Sequence, residues 1–287
     1  MDRALTAEPV AGNSANDSAT HSEPPLRPRR RPAAWAAGLL LVVPAVISAC
    51  RLLDTDGISP VPQLLSVLPW LSVPAGLAVL LAAFAGRRAL TLLAVVVLGA
   101  VGWSSLPYMP QLVMSSGLPI TRVTVLAANV EYGQATGALT EAWWGSSAAM
   151  GMPGATAEIG GMPVRLQLAH PLPPVPGQVD AWKRELGRIA DAARDEPGPL
   201  LLAGDFNASQ DHAAFRRILD TGLRDAARLA GEGREPSWPS DTTPAFGAQI
   251  DHVLVSKEFS ASRARFLDLA GTDHRSLLVD LTLHRPR

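Results

Sequence analysis

The chain lacks the features that would make its compartment and partners easy to read. It has one cysteine, Cys50, so no disulfide can form within it and cysteine usage does not report its redox surroundings. Charge is sparse: 18% of the 287 residues are Asp, Glu, Lys or Arg against 47% hydrophobic, and the apolar excess lies before residue 110. A basic surplus is missing as well. Beyond residue 121 there are 17 basic and 20 acidic residues, about −3, which leaves nucleic acid a possible but not a favoured partner. No internal repeat is present. The length allows one large domain or two small ones.

The apolar excess falls into three runs, "AAWAAGLLLVVPAVISA" (33–49), "LLSVLPWLSVPAGLAVLLAAFA" (64–85) and "ALTLLAVVVLGAVGWSSL" (89–106). Each is near the length needed to cross a bilayer, and Pro69 and Pro74 kink the second without forbidding it. The expected organisation is a disordered cytoplasmic tail (1–32), three transmembrane helices (33–106), a linker (107–121) and a C-terminal domain (122–287). The tail ends in "RPRRRP", and Arg87–Arg88 separates the second run from the third. Keeping these arginines cytoplasmic puts the 50–63 loop and everything after residue 107 outside. A lipoprotein-type reading, with Cys50 after "ISA" as the lipidated residue, is opposed by the long tail before it and the two apolar runs after it. The protein is thus expected to be multi-pass in a plasma membrane of bacterial type, with the bilayer as a partner and the C-terminal domain extracytoplasmic.

From Arg122 the pattern changes. "RVTVLAANV" and "VRLQLAH" alternate as half-buried strands do. "DAWKRELGRIADAARDE" has helical spacing through Trp182, Leu186, Ile189 and Ala193. "PLLLAG" predicts a strand, "DHAAFRRILDTG" a helix with Asp211 as its N-cap, and "IDHVLVS" and "SLLVDLTL" the last strands. Strands alternating with helices predict an α/β class. Polar residues recur at the strand ends: Asn129; His170; Asp205 with Asn207; Asp251 with His252; Asp273 with His274. In a layered α/β domain such ends meet on one rim, where ligands bind. Asp205 and Asn207, two apart, share a side if the segment is extended. Carboxylate and amide oxygens suit Mg²⁺ or Mn²⁺ better than zinc, and imidazoles beside them can move protons and steady a phosphoryl group. Such a set fits hydrolysis of a phosphate ester.

In this order "NV", "H", "GDFN", "IDHV" and "TDH" resemble the endonuclease/exonuclease/phosphatase superfamily over residues 122–284. The resemblance implies a two-sheet α/β sandwich and a Mg²⁺- or Mn²⁺-dependent phosphoesterase acting on a phosphodiester or phosphomonoester, small or lipid-borne. It implies Asn129 and Asp273 on the metal side, and Asp205 and Asn207 orienting water and phosphate. His274 resembles the general acid/base, oriented by Asp251, and His170 the histidine at the scissile phosphate. His252 is expected to be structural.

The likeness breaks in one place. The family's "QE", whose glutamate is the principal metal ligand, is absent, and only 40 residues separate Asn129 from His170. A unit of at least βαβ size, about 30 residues, is missing, so the sandwich is expected to be truncated, with an open sheet edge and an apolar face. Glu131 is the best substitute ligand and Glu141 a weaker one; Trp143 and Trp144 are candidates to cover the bared face. The missing glutamate also supports an alternative, a catalytically impaired membrane-bound binding or structural module. Oligomeric state is not legible.

Overall fold

The computed structural model describes residues 30–106, 117–129, 152–242 and 246–285. The expected tail, most of the linker, and Glu131, Glu141, Trp143 and Trp144 lie outside the described residues, as does the stretch where a family segment is expected to be missing.

Among the described residues two helices, not three, are long and apolar enough to cross a membrane. They are α1 (Arg30–Leu52) and α4 (Arg88–Ser105). The second apolar run is broken into α2 (Val61–Ser66), a 3₁₀ turn (Leu68–Leu71) and α3 (Ser72–Phe84). Proline is the cause: Pro69 has no N–H for the carbonyl four residues back, and its ring crowds that carbonyl. The thirteen residues of α3 rise only about 20 Å. The three longer helices pack together through small residues, with Ala37, Ala75, Ala78, Ala82 and Ala94 fully buried. Their large side chains, among them Trp35, Leu39, Leu80, Phe84, Leu92, Val96 and Trp103, face outward.

The C-terminal part is α/β and is built in layers. A five-stranded sheet runs β2–β3–β4–β6–β5: β2 (Gly154–Ile159), β3 (Met162–Ala169), β4 (Leu200–Asp205), β6 (Asp251–Val255) and β5 (Arg224–Asp225). A three-stranded sheet runs β1–β8–β7: β1 (Pro119–Ala127), β8 (Arg275–His284) and β7 (Phe259–Asp268). Alternation on β4 sends Leu201 towards the smaller sheet, where it meets Val253, Val255, Leu277, Val279 and Leu281. Leu200 and Leu202 point the other way, into a core with Trp182, Leu186 and Ile189 of α5 (Val179–Asp195) and Phe215 and Ile218 of α6 (Ala213–Leu219). A short α7 (Ala226–Leu229) completes the set. Among the described residues β1 pairs on one side only, with β8.

Asp211 does not cap α6. The cap comes from far away: Asp56, 3% exposed in the loop after α1, accepts the N–H of Ala213 at 2.7 Å and of Ala214 at 2.8 Å. Asp211 instead accepts from Arg51 at 3.4 Å and Arg234 at 2.8 Å, and Arg234 also donates to the Ser104 carbonyl at the end of α4. In the same region the Pro62 carbonyl meets His212 Nε2 at 2.8 Å, Lys183 donates to the Gly57 carbonyl at 2.6 Å, and Arg216 pairs with Asp54. Gln63 donates to the Pro174 carbonyl, in the loop after β3. Residues 51–63 thus bind both loops that leave the C-terminal ends of β3 and β4.

Candidate active site

The polar strand ends converge. β3 and β4 run parallel, so His170, one residue past β3, comes beside Asp205 at the tip of β4. Gly204 permits that approach: its φ is +143°, and a Cβ there would lie 2.2 Å from the Ala169 carbonyl oxygen. β6 is antiparallel to β4 in the register that sets Asp251 opposite Asp205. The smaller sheet supplies Asn129 just past β1 and Asp273–His274 just before β8.

Asp205 Oδ2 is the hub. It accepts from Asn129 Nδ2 at 3.1 Å and stands 3.8 Å from both His170 Nε2 and His274 Nε2. His274 Nδ1 is held by Asp251 Oδ2 at 2.8 Å, which turns Nε2 towards the cleft, 3.8 Å from Asp273 Oδ1. Asn207 is brought in by a turn and not by an extended segment. Its φ is +47°, its N–H donates to Asp205 Oδ1 at 2.7 Å, and its side-chain amide donates to the Pro171 carbonyl at 3.0 Å. The reason is local: β4 ends at Asp205, and asparagine tolerates the left-handed conformation that an Asx turn requires.

Burial and crowding set the charges. Burial, then the charge of Asp251, push the Asp205 carboxyl up to about 7, against the opposing pull of His274, the Asn207 N–H and the Asn129 amide. Burial opposes charge on His274, but its hydrogen bond to Asp251 and the charges of Asp251, Asp205 and Asp273 outweigh it and raise its pKa. His170 goes the other way: burial lowers it, and Asp251 and Glu185 only partly compensate. Two imidazoles and a carboxyl side by side are therefore pushed apart in protonation, as acid–base chemistry requires.

Asp205, Asp251 and His274 each bring one ligand-type atom within 4.8 Å of the others. Hydrogen bonding already engages part of that trio, because Asp251 Oδ2 and His274 Nδ1 bind each other. Further oxygens come from half-exposed Asp273, whose Oδ1 lies 3.8 Å from His274 Nε2, and from the amide of Asn129, whose nitrogen donates to Asp205. An oxygen-rich set beside a carboxylate pushed up to about 7, by burial first and the charge of Asp251 second, fits a hard divalent cation. His252 points away from the cleft. Its ring is sealed between Asp225 Oδ2 at 2.7 Å and the Ala208 carbonyl at 2.9 Å, under Phe206 and Phe215.

Sequence reasoning missed the residues that brace this set. Ser237 Oγ accepts the N–H of Ile250 and of Asp251 at 3.0 Å each, and Trp238 Nε1 donates to Asp273 Oδ2 at 2.9 Å. Thr272 Oγ1 donates to the Asn129 carbonyl at 2.6 Å and accepts from the His274 N–H at 3.1 Å, tying β1 to β8. Glu185 is buried and accepts the Leu172 N–H at 2.7 Å, steadying the turn after His170. Only Glu185 had a signal: an acid on the apolar face of α5, between Trp182 and Ile189.

The chain is 28% identical over 109 residues to a UPF0294 protein of Erwinia tasmaniensis, a match covering 37% of this chain and 37% of that relative. The chain therefore spans well under half the length of that curated relative. Among solved structures it is similar to an endonuclease/exonuclease/phosphatase from Beutenbergia cavernae, at 23% identity and TM-score 0.40, covering 46% of this chain and 39% of that one. A second, from Bacteroides vulgatus, matches at 16% identity and TM-score 0.39, covering 58% and 66%. The model of the Endonuclease/Exonuclease/phosphatase family matches residues 64–274, well over half of the chain. The chain belongs to that family, one of phosphoesterase- and nuclease-type hydrolases.

Proposed function

We propose that the protein is a membrane-held, divalent-metal-dependent phosphoesterase acting on a phosphodiester or phosphomonoester outside the cytoplasm. The observation that carries the catalytic part is the gathering of Asn129, His170, Asp205, Asp251 and His274 from both sheets around Asp205 Oδ2. Asn129 and Asp273 would hold the cation, Mg²⁺ or Mn²⁺, with Glu131 as a further ligand; the cation supplies charge neutralisation at the phosphoryl oxygens. Asp205, pushed up to about 7, is matched to accept the proton of an attacking water near neutral pH. His274, biased towards its charged form and oriented by Asp251, is suited to protonate the leaving oxygen. His170, biased towards neutrality, offers Nε2 to a phosphoryl oxygen, and Asn207 fixes the loop behind it.

The membrane part is supported by the outward-facing large side chains and inward-facing alanines of the helices, the reverse of a water-soluble bundle. Arginines 31, 87 and 88 gather at one end of the helices and the C-terminal part meets the other, which supports a domain held outside. Small or lipid-borne esters are favoured over duplex DNA by the acidic balance of this part.

The test is hydrolysis of a generic phosphodiester by the full chain in detergent, with and without Mg²⁺, against Asp205→Ala. Turnover is expected only with wild type and cation. Wild type that matches Asp205→Ala would leave the impaired binding module, the reading that the missing Gln-Glu favours.

A further inference from the structure

One aromatic side chain at the cleft is held more firmly than its exposure requires. Trp238 is 42% exposed, so water could satisfy its indole N–H, the one polar atom of its side chain. That N–H donates instead to Asp273 Oδ2 at 2.9 Å, and an N–H bonded to a carboxylate is among the stronger kinds of hydrogen bond. The backbone explains the aim. The Trp238 N–H donates to the Ala248 carbonyl at 3.0 Å, and its own carbonyl accepts from Ala248 at 2.8 Å. Gly247 lets the two segments come this close, since a Cβ there would lie 2.5 Å from the Trp238 carbonyl oxygen.

The segment is tied on its other side to the loop that carries Asp273. The Ser237 carbonyl accepts the Arg275 N–H and the Ser240 N–H donates to the Asp273 carbonyl, each at 2.7 Å. Ser240 Oγ donates to the Thr272 carbonyl at 3.0 Å. Indole and carboxylate are thus brought together by main chain fixed on both sides of each. The two oxygens of Asp273 become unequal as a result. Oδ2 is taken by the indole, whereas Oδ1 accepts no hydrogen bond among the described residues and lies 3.8 Å from His274 Nε2, on the cleft side.

We propose that Trp238 is a positioning residue for the cation: by holding Oδ2 it makes Asp273 a one-oxygen ligand through Oδ1, which favours Mg²⁺ over Ca²⁺. The proposal rests on the metal dependence proposed above and assigns its selectivity to a residue that does not itself touch the ion. A carboxylate free to turn can close both oxygens on a large cation. Ca²⁺ accepts that readily, while the smaller Mg²⁺ demands a near-octahedral set of single contacts. Withdrawing one oxygen into a hydrogen bond therefore removes a mode of binding that only the larger ion exploits. Groups that hold a metal ligand from behind are worth about 10–100-fold in metal affinity.

The experiment is titration calorimetry of the full chain in detergent with Mg²⁺ and, separately, with Ca²⁺. Wild type is compared with Trp238→Phe, which keeps a ring at this exposed position and removes the N–H, and with Trp238→Gln, which removes the ring and keeps a donor. In Trp238→Phe, Mg²⁺ binding should weaken about 10–100-fold and Ca²⁺ binding less, so the preference for Mg²⁺ narrows about tenfold. Its melting midpoint without cation should stay near that of wild type. Trp238→Gln should keep more of the Mg²⁺ preference than Trp238→Phe. Mg²⁺ and Ca²⁺ affinities falling in step, as simple loosening of the loop would give, would overturn the proposal, and so would a Trp238→Gln protein no better than Trp238→Phe. Wild type that binds Mg²⁺ no more tightly than Trp238→Phe sinks this role alone. Wild type that binds neither ion sinks the metal dependence beneath it.

Discussion

Two Asp–His pairs in this molecule are nearly the same in local chemistry and opposite in situation. Asp251 meets His274 Nδ1 at 2.8 Å, and Asp225 meets His252 Nδ1 at 2.7 Å. What separates them is the second ring nitrogen. In His252 it is closed off by the Ala208 carbonyl, and the ring lies under two phenylalanines; in His274 it faces Asp205, Asn129 and Asp273. Asp251 and His252 are adjacent on β6, so strand alternation alone sends one side chain to the cleft and the other to the core. A pair that looks catalytic in sequence is recognised by what its outer nitrogen can reach.

Exchanging the damage between the pairs sharpens that contrast. His274→Ala should lower hydrolysis about 10²–10⁴-fold, the scale expected when a proton-transfer group is removed. His252→Ala should leave hydrolysis far less affected and act through stability, although Asp225 keeps the N–H groups of Ala227 and Arg228. Both variants strip a buried aspartate of its histidine and should cost about 1–3 kcal/mol, visible as a lower thermal midpoint of the full chain. Equal loss of hydrolysis in both variants would break the comparison.

A smaller effect is expected at the support from outside the catalytic part. Asp56→Ala removes two charge-assisted bonds at the start of α6 and should cost about 1–3 kcal/mol, measured by melting the full chain. Asp211→Ala should not reproduce the loss of that cap.

The pH dependence should be gentler still. Asp205 rises from 3.8 to about 7 on folding and His274 rises above 6.5, so each binds its proton more tightly folded than unfolded. Stability contributed in this way is present at low pH and lost as pH rises through the folded values, so without cation the protein should melt lower at pH 8 than at pH 6.5. His170, lowered on folding, acts below 6.5 and with the opposite sign, outside this window. Mg²⁺ should narrow the difference. A midpoint that climbs with pH in the absence of metal would contradict this ordering of charges.

Much of the catalytic part was legible because its signals are local. Alternation marked β1 and β3, apolar runs marked β4, β6 and β8, and the apolar spacing of α5 marked its buried face. β2 and β7 escaped, being short of apolar residues and broken by Ser, Arg, Glu and Gly. The strand-end residues could be named because strand ends share a rim. How Asn207 reaches that rim could not, since its left-handed backbone is a property of the turn. Least legible were the long-range braces. Nothing near Asp56 in sequence announces a helix more than 150 residues away, and Asp211, two residues before α6, was the more natural cap. The break in the second apolar run was foreshadowed by Pro69, whose effect on continuity exceeded a kink, whereas Pro74 sits in the first turn of α3, where proline is tolerated.

The grip of residues 51–63 on the two cleft loops means that the catalytic layer is mounted, not leashed. A protease that severed the chain between α4 and β1 would not set it free, because Asp56, Gly57 and Pro62 would still hold it through Ala213, Lys183 and His212. Its cleft is carried at one height and one heading relative to the helices, so whatever it hydrolyses must come to it.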